Sequence, residues 1–233
     1  MKTIGIIFAM DEEINELKKY INITHENKIF DLVFYEGNIG SAKCILVKSG
    51  VGKVNAARTT QMLIDNYKVD YIINIGVAGG VSKDTHVLDL VVSNNLVQHD
   101  FDITAFEHEK GYIPNIGTYI KSDDYLINLS KKVDSSVHVG TIATGDIFCT
   151  EKEMSEKINK NFNALCVEME GASIAQVAYL CSIPFIVIRS ISDTPYEGDN
   201  KITYEEFLIK SSKRVAKYLR NILLEMEKQN ENN

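Results

Sequence analysis

Apolar runs and amphipathic stretches alternate along most of the chain. The runs 3–9, 69–75 and 184–193 are nearly unbroken, which is typical of strands buried on both faces of a sheet. Between such runs, apolar residues recur at the spacing of a helix packed on a core, as in the segment 174–181. The pattern therefore predicts an α/β fold in which helices cover a central sheet.

Shorter elements complete this prediction. Asp11 is expected to cap a helix that runs through Ile21 and buries Ile14 and Leu17, and a long helix is expected from Tyr204 onward. The other predicted elements are strands at 28–35, 41–48, 87–93, 138–143 and from 165, and helices after Lys53, at 123–133 and at 151–160.

Charged side chains stand at the carboxyl ends of several predicted strands. Glu13 lies at the edge of the buried stripe of the first helix, and Glu168 and Glu170 lie where a strand passes into a helix. Arg189 and Asp193 fall near the end of the next strand. Because open α/β sheets bind ligands outside the carboxyl ends of their strands, we expect these groups to form a site. The alternatives are a structural ion pair for Arg189 and an exposed surface side chain for Glu13.

Composition narrows the class of protein. The 233 residues carry a formal net charge of −7 without a long basic run, which argues against nucleic acid or an anionic membrane as a partner. No segment approaches 18 apolar residues, and the first apolar run ends at 11–13 without a cleavage site, so we expect a cytoplasmic protein. The five histidines show no metal-ligand spacing. Without a repeat or linker, one domain is expected over residues 1–228, followed by a polar tail at 229–233.

Two glycine-rich turns and one long loop are further candidates for function. The turn 49–54 resembles a phosphate-binding loop only superficially, because Val47 and Val54 occupy positions that need Gly and Ser or Thr. A glycine turn that enters a helix is the better interpretation. The glycines at 76–80 allow either close backbone approach to a ligand or a tight turn. The loop 98–114 carries aromatic residues, as functional and interface loops do.

Seven short motifs occur in order over nearly the whole chain. They are AMDEE (9–13), SGVGKVNAA (49–57), AGG (78–80), HDFDITAF (99–106), TGDIF (144–148), VEME (167–170) and RSISD (189–193). Together they resemble the bacterial 5'-methylthioadenosine/S-adenosylhomocysteine nucleosidases, a family of the purine nucleoside phosphorylase superfamily. The resemblance implies a three-layer α/β/α sandwich around a mixed, partly barrel-like sheet. It also implies a homodimer, no cofactor, no metal, and irreversible cleavage of adenine from a thioribose.

The resemblance implies roles for the charged residues. Asp193 matches the general acid that shares a proton with adenine N7, and Glu13 matches the carboxylate that activates water. Both roles suit the chemistry, since hydrolysis of an N-glycosidic bond needs an acid for the leaving base and a base for water. Glu170 matches the residue that holds the ribose hydroxyls, with backbone from Met169 and a contribution from Arg189.

Other implied contacts concern the adenine ring and the alkylthio group. Phe148 matches the ring that stacks on adenine, and main-chain groups around Cys149 read the edge of the base. The full implied set of substrate contacts is Met10, Val51, Val77, Ala78, Gly79, Phe148, Cys149, Glu168, Met169, Glu170, Arg189, Ser192 and Tyr204, with Ile103, Phe106 and Pro114 donated by the other subunit of the dimer.

The chain departs from the family pattern at two positions. Val77 stands where many relatives have serine, and Phe8 replaces a glycine that often precedes the AMDEE motif. We expect these changes to alter substrate affinity without altering the reaction class.

Three alternatives follow from the same residues. A nucleoside phosphorylase would need a Gly-x-Pro-x-Arg loop after the first strand, whereas the carboxylates at 11–13 would repel phosphate. A hydrolase for another nucleoside, such as futalosine, is disfavoured by Asp193 and Phe148. A non-catalytic binding protein is disfavoured because both Glu13 and Asp193 are present. The relative preference for methylthioadenosine, S-adenosylhomocysteine or 5'-deoxyadenosine stays open.

Overall fold

Ten strands form one mixed sheet within residues 2–196 and 204–231, the part of the chain that the computed structural model describes. The strands are β1 (Thr3–Phe8), β2 (Asn22–Ile29), β3 (Leu32–Ile39), β4 (Ala42–Lys48), β5 (Tyr71–Gly80), β6 (Leu90–Gln98), β7 (Ile120–Lys121), β8 (His138–Thr144), β9 (Ala164–Glu168) and β10 (Phe185–Asp193). The helices of the same residues are α1 (Asp11–Lys18), α2 (Lys53–Tyr67), α3 (Asp124–Val133), α4 (Lys152–Phe162), α5 (Gly171–Leu180) and α6 (Tyr204–Glu231).

The sheet closes partly on itself. Its strand order is β10-β6-β8-β9-β5-β1-β4-β3-β2, and β10 also pairs with β5, so that β5, β6, β8, β9 and β10 form a five-stranded barrel. β1 lies parallel to both β4 and β5, whereas β9 meets β5 in a short antiparallel contact at Gly79 and Gly80. The predicted mixed, partly barrel-like sheet is confirmed.

Helices cover two sides of this sheet. α1, α3 and α6 pack into one apolar core, to which they contribute Leu17, Leu126 and Leu219. α2 and α5 pack into a second core with Leu63 and Ala175. Each of these leucines is buried, and burial of such a side chain stabilises the fold by about 1.5–3 kcal/mol. The predicted three-layer α/β/α arrangement is confirmed.

The predicted strand 28–35 is wrong. The chain reverses direction at Phe30 and Asp31, so that β2 ends at Ile29 and β3 begins at Leu32. Phe30 adopts the left-handed φ of 56° that this tight reversal requires. The error has a physical cause: β2 is an edge strand with mostly exposed side chains, and it lacks the apolar alternation that marks a strand in a sequence.

Helix boundaries also differ from the prediction. α1 ends at Lys18 and not at Ile21, because Ile21 is buried in the stretch that leads directly into β2. Asp11 is the first helical residue, and the cap position belongs to Met10. α6 continues through Glu231, so the helix includes the first three residues of the predicted polar tail. None of the described helices is long and apolar enough to cross a membrane.

Barrel closure extends two strands beyond their predicted ends. β5 continues to Gly80 because β9 supplies partners for Gly79 and Gly80, and β6 continues to Gln98 because β8 runs beside it. The ends of β1, β5, β9 and β10 thereby come together and frame one pocket.

Candidate active site

One pocket opens where β1, β5, β9 and β10 end. Its wall contains thirteen of the residues predicted to act on or bind a substrate: Met10, Glu13, Val51, Val77, Ala78, Gly79, Phe148, Cys149, Glu168, Met169, Glu170, Ser192 and Asp193. Ala9, Ile147 and Val167 also line it, and the sequence reasoning had not singled them out as contacts. The fold therefore brings residues from six separate segments of the chain to one cavity.

Glu13 is held at the bottom of this pocket by backbone amides. Its Oε2 accepts hydrogen bonds from the N–H groups of Ala9 and Met10 at 3.0 Å each, and its Oε1 accepts one from Val77 at 3.1 Å. A Cβ atom at Gly76 would lie 2.5 Å from Glu13 Oε1, so any larger residue there would displace the Glu13 carboxylate. The prediction that Glu13 turns inward from α1 is confirmed, because its side chain is only 2% exposed.

Burial changes the acidity of Glu13. Removal from water raises the pKa of the Glu13 carboxyl above its ordinary value, and the Arg189 guanidinium and the three N–H donors offset only part of that rise. A carboxylate with a raised pKa is a stronger base. Such a group can accept a proton from a water molecule bound beside it.

Asp193 enters the same pocket from the end of β10. Ser192 donates a hydrogen bond from its hydroxyl to Asp193 Oδ1 at 2.7 Å. A Cβ atom at Gly79 would lie 3.3 Å from Asp193 Oδ2, so the carboxyl packs against the backbone of β5. Burial raises the pKa of Asp193, and the Ser192 hydroxyl only partly opposes this rise. A carboxyl group with a raised pKa retains its proton at higher pH and can donate it to a ligand.

Glu170 links the pocket to the glycine turn that precedes α2. It stands at the N-terminus of α5, and its Oε1 accepts a hydrogen bond from the Gly52 N–H at 2.9 Å. Gly52 has a φ of 98°, a conformation that favours glycine. Burial, reinforced by the negative charge of Glu168, raises the pKa of Glu170 to about 7.

Arg189 lies behind the pocket wall. Its side chain is 2% exposed, and its guanidinium forms an ion pair with Glu168 and a hydrogen bond with Asn74. Glu168 also accepts hydrogen bonds from the N–H groups of Glu170 at 3.1 Å and Gly171 at 2.7 Å. The structural ion pair that the sequence left open for Arg189 is therefore present, and a direct contact between Arg189 and a ribose stays a prediction.

Two polar residues in this network were missed by sequence reasoning. Thr144 donates from its hydroxyl to Glu168 Oε1 and accepts from the Ala172 N–H at 2.7 Å. Asn74, only 1% exposed, donates from Nδ2 to the Ile7 carbonyl at 3.0 Å. The signal for Asn74 was available, because it is an amide within an otherwise apolar strand.

The outer wall of the pocket is apolar and open. Phe148 and Ile147 are 59% and 47% exposed on the loop after β8. Val51, from the glycine turn, is 48% exposed. Large apolar groups at the mouth of a pocket suit a flat aromatic ligand.

The residues predicted to come from a second subunit do not line the pocket of their own chain. Phe106 is 76% exposed and Pro114 is exposed, while Ile103 is partly buried. Their predicted contact with a neighbouring copy stays a prediction. The side chain of Tyr204 lies outside the described residues, so its predicted contact has no counterpart here.

Comparison with known proteins adds independent findings. Residues 3–224 match the model of the phosphorylase superfamily. A 5'-methylthioadenosine/S-adenosylhomocysteine nucleosidase from an Exiguobacterium species is 40% identical over 230 residues, which cover 96% of this chain and 98% of that protein.

Two solved structures from Helicobacter pylori have similar folds. A 5'-methylthioadenosine/S-adenosylhomocysteine nucleosidase in complex with a substituted pyrrolidin-3-ol superposes with a TM-score of 0.91 at 36% identity. It covers 96% of this chain and 98% of its own. A structure described as a futalosine hydrolase superposes with a TM-score of 0.90 at 36% identity and the same coverage of both chains.

Proposed function

Because this chain belongs to the 5'-methylthioadenosine/S-adenosylhomocysteine nucleosidases of the phosphorylase superfamily, which are N-glycosidic hydrolases, we propose that it hydrolyses these two nucleosides. The products are adenine and either 5-methylthioribose or S-ribosylhomocysteine. One observation carries the proposal: two carboxyl groups with raised pKa values, Glu13 from α1 and Asp193 from β10, line one pocket.

Asp193 acts on the leaving base. Its carboxyl donates a proton to adenine N7 as the bond between N9 and C1' breaks, so that adenine leaves as a neutral molecule. The Ser192 hydroxyl supports this role, since its hydrogen bond at 2.7 Å fixes one carboxyl oxygen and leaves the other directed along β5 towards Gly79. A positioned acid of this kind contributes about 10²–10⁴-fold to the rate.

Glu13 acts on the nucleophile. It takes one proton from a water molecule while the water oxygen bonds to C1' of the sugar. The three backbone N–H donors support this role, because they fix the carboxylate and leave lone pairs free to receive a proton. The proton taken by Glu13 then returns through solvent, and Asp193 regains a proton in the same way.

The charge of the site favours water over phosphate. Glu13, Glu168 and Glu170 surround a single guanidinium, that of Arg189, and all four charges influence one another. An excess of negative charge attracts the cationic, oxocarbenium-like sugar of the transition state and repels a phosphate dianion. Glu170 then holds the ribose hydroxyls, with the neighbouring backbone of Met169.

The apolar mouth of the pocket suits the rest of the substrate. Phe148 stacks on adenine, and main-chain groups at Cys149 recognise the edge of the base. Met10 and Val51 contact the alkylthio group, which a second copy of the chain covers through its own loop 103–114. A homodimer and a cytoplasmic location complete the proposal, and all four cysteines are free thiols, as is usual in reducing compartments.

Release of adenine from purified protein tests the proposal. Methylthioadenosine and S-adenosylhomocysteine should both yield adenine, measured by chromatography. Futalosine enters the assay as a second candidate substrate, because one of the similar structures is described as a futalosine hydrolase. Cleavage of futalosine without release of adenine from either thionucleoside would overturn the assignment.

The variant Glu13→Gln provides the matched control. It should release no adenine, yet it should bind methylthioadenosine in calorimetry, since the base and ribose contacts remain. Loss of binding together with turnover would contradict the assigned role of Glu13.

A further inference from the structure

Three loops meet beside the pocket, and two of them also supply wall residues, Val51 and Phe148. They are the glycine turn that leads into α2, the loop after β6 and the loop after β8. One residue from each loop takes part in a closed set of hydrogen bonds, and we name these residues, Lys53, Asp100 and Asp146, the loop triad. None of the three lines the pocket.

The loop triad is connected by three hydrogen bonds. Lys53 donates from Nζ to Asp100 Oδ1 at 2.7 Å, and Asp146 donates from its backbone N–H to Asp100 Oδ2 at 2.9 Å. Lys53 donates from its own backbone N–H to Asp146 Oδ1 at 2.8 Å. Each residue thus contacts the other two, and Asp100 uses both carboxyl oxygens.

The start of α2 explains why a carboxylate from another loop is needed. The cap position of α2 is Gly52, which has no side chain to accept a bond from the first free amides of the helix. Two carboxylates from elsewhere fill this role: Glu170 accepts from Gly52 and Asp146 accepts from Lys53. A Cβ atom at Gly52 would lie 3.2 Å from Asp146 Oδ1, so the glycine also makes room for that carboxylate.

Two members of the loop triad, Lys53 and Asp100, are sheltered from solvent, whereas Asp146 is exposed. The side chains of Lys53 and Asp100 are 19% and 16% exposed, so their attraction is screened less than that of a surface pair. Burial alone would raise the pKa of Asp100, but the bonds from Lys53 and Asp146 hold that pKa below its ordinary value. Lys53 Nζ also donates to Gln98 Oε1 at 3.2 Å, and Gln98 donates to Gln176 at 2.7 Å, which ties the triad to α5.

The position of the loop triad relates two parts of the proposed substrate site. Phe148 follows Asp146 by two residues, and Gly52, which precedes Lys53, donates to Glu170. Resting on the function proposed above, we propose that Asp100 and Asp146 are positioning residues, which hold the loop of Phe148 against the glycine turn and so fix the adenine wall relative to the ribose carboxylate. Glu13 and Asp193 are held by other contacts, so the loop triad sets substrate affinity and not the chemical step.

Kinetics of three variants test this inference. Asp146→Ala and Asp100→Ala should each raise KM for methylthioadenosine about tenfold, the effect of losing a hydrogen bond to a charged group, and change kcat by less than about twofold. Asp146→Asn should stay near the wild type, because its amide oxygen still accepts from the Lys53 N–H. An effect on folding alone would instead lower the melting temperature and the amount of active enzyme, with KM unchanged.

A fluorescence measurement tests the inference without relying on the reaction. The chain has no tryptophan, so Phe148→Trp introduces a single reporter on the loop. Adding Asp146→Ala or Lys53→Met to this variant should shift the emission to longer wavelength and increase quenching by acrylamide. Adding Asp146→Asn should change neither.

The two experiments separate the possible failures. If the wild type releases no adenine while the fluorescence responds as expected, the proposed function is wrong and the loop contact stands. If Asp146→Ala and Asp100→Ala keep the wild-type KM, or if the emission and quenching do not change, the loop triad positions nothing and the inference is overturned.

Discussion

Arg189 and Glu168 form an ion pair in which the two side chains are only 2% and 3% exposed. The pair joins β10 to the end of β9, and Glu168 itself lines the pocket in front of Arg189. Its surroundings leave little water to solvate either charge. The pair is therefore a structural support for the site. Its loss should lower the free energy of unfolding more than it changes the chemical step.

Substitution of Arg189 tests this relationship. Arg189→Leu should lower the free energy of unfolding by about 3–5 kcal/mol, because the Glu168 charge is left buried without its partner. Urea denaturation measures the change. Arg58→Leu is the matched control, since Arg58 pairs with Asp31 on the surface, and it should have a far smaller effect. Equal effects of the two substitutions would contradict the structural role of Arg189.

The acidity of Glu170 predicts a pH dependence of stability. Its folded pKa of about 7 lies above its ordinary value of 4.5, so the folded protein binds more protons than the unfolded chain between these values. The free energy of unfolding should therefore fall as pH rises through this window, by about 3 kcal/mol from this group alone. Glu170→Gln should flatten that part of the profile, measured by urea denaturation at pH 4 to 8. An unchanged slope would show that Glu170 ionises normally.

Asp193→Asn should abolish turnover and leave the fold intact. The amide keeps the shape of the side chain but cannot deliver a proton, so kcat should fall by about 10²–10⁴-fold. Circular dichroism checks the fold, and Ser192→Ala is a milder variant that removes only the hydrogen bond to Asp193. If Asp193→Asn retains more than about a tenth of the wild-type kcat, another group is the acid.

Phe106→Ala should raise KM for methylthioadenosine much more than it lowers kcat. Phe106 is 76% exposed in a single chain, and leaving such a side chain in water forfeits about 1.5–3 kcal/mol of burial. A two-fold dimer would place it over the alkylthio group of the neighbouring site. Adenosine, which lacks that group, should be affected far less. Phe30→Ala is the control, because Phe30 is 81% exposed on a different turn.

Sedimentation of the wild type provides the complementary check on the shared site. The protein should sediment as a dimer at assay concentrations. A fully active monomer would rule out a pocket completed by the second copy.

The elements that are buried in the fold could be predicted, because burial requires apolar residues at regular positions in the sequence. β1, β5 and β10 are apolar because both faces are covered, and the apolar stripe of α1 placed Glu13 inside the molecule. β2 was missed because the side chains of an exposed edge strand do not need to be apolar. The exact ends of β5 and β6 depend on partners supplied by barrel closure, which local sequence does not encode.

The charged residues of the candidate site could be predicted from the sequence, but their hydrogen bonds to polar residues could not. Asp193 and Glu170 stand out against apolar surroundings, and the family motifs identify their positions. Asn74 and Thr144 belong to strands that are distant in sequence and meet Arg189 and Glu168 only because the barrel closes. These contacts depend on how the strands pair in the closed barrel, so they could not be predicted from the local sequence.

The identity of the sugar product tests the central claim most directly. Purified enzyme is incubated with methylthioadenosine in phosphate-free buffer and in excess phosphate, and the products are separated and identified by mass spectrometry. Hydrolysis by a water molecule activated at Glu13 predicts equal amounts of adenine and free 5-methylthioribose, at the same rate in both buffers. Formation of 5-methylthioribose 1-phosphate, or a rate that depends on phosphate, would show that phosphate is the nucleophile and would contradict the account.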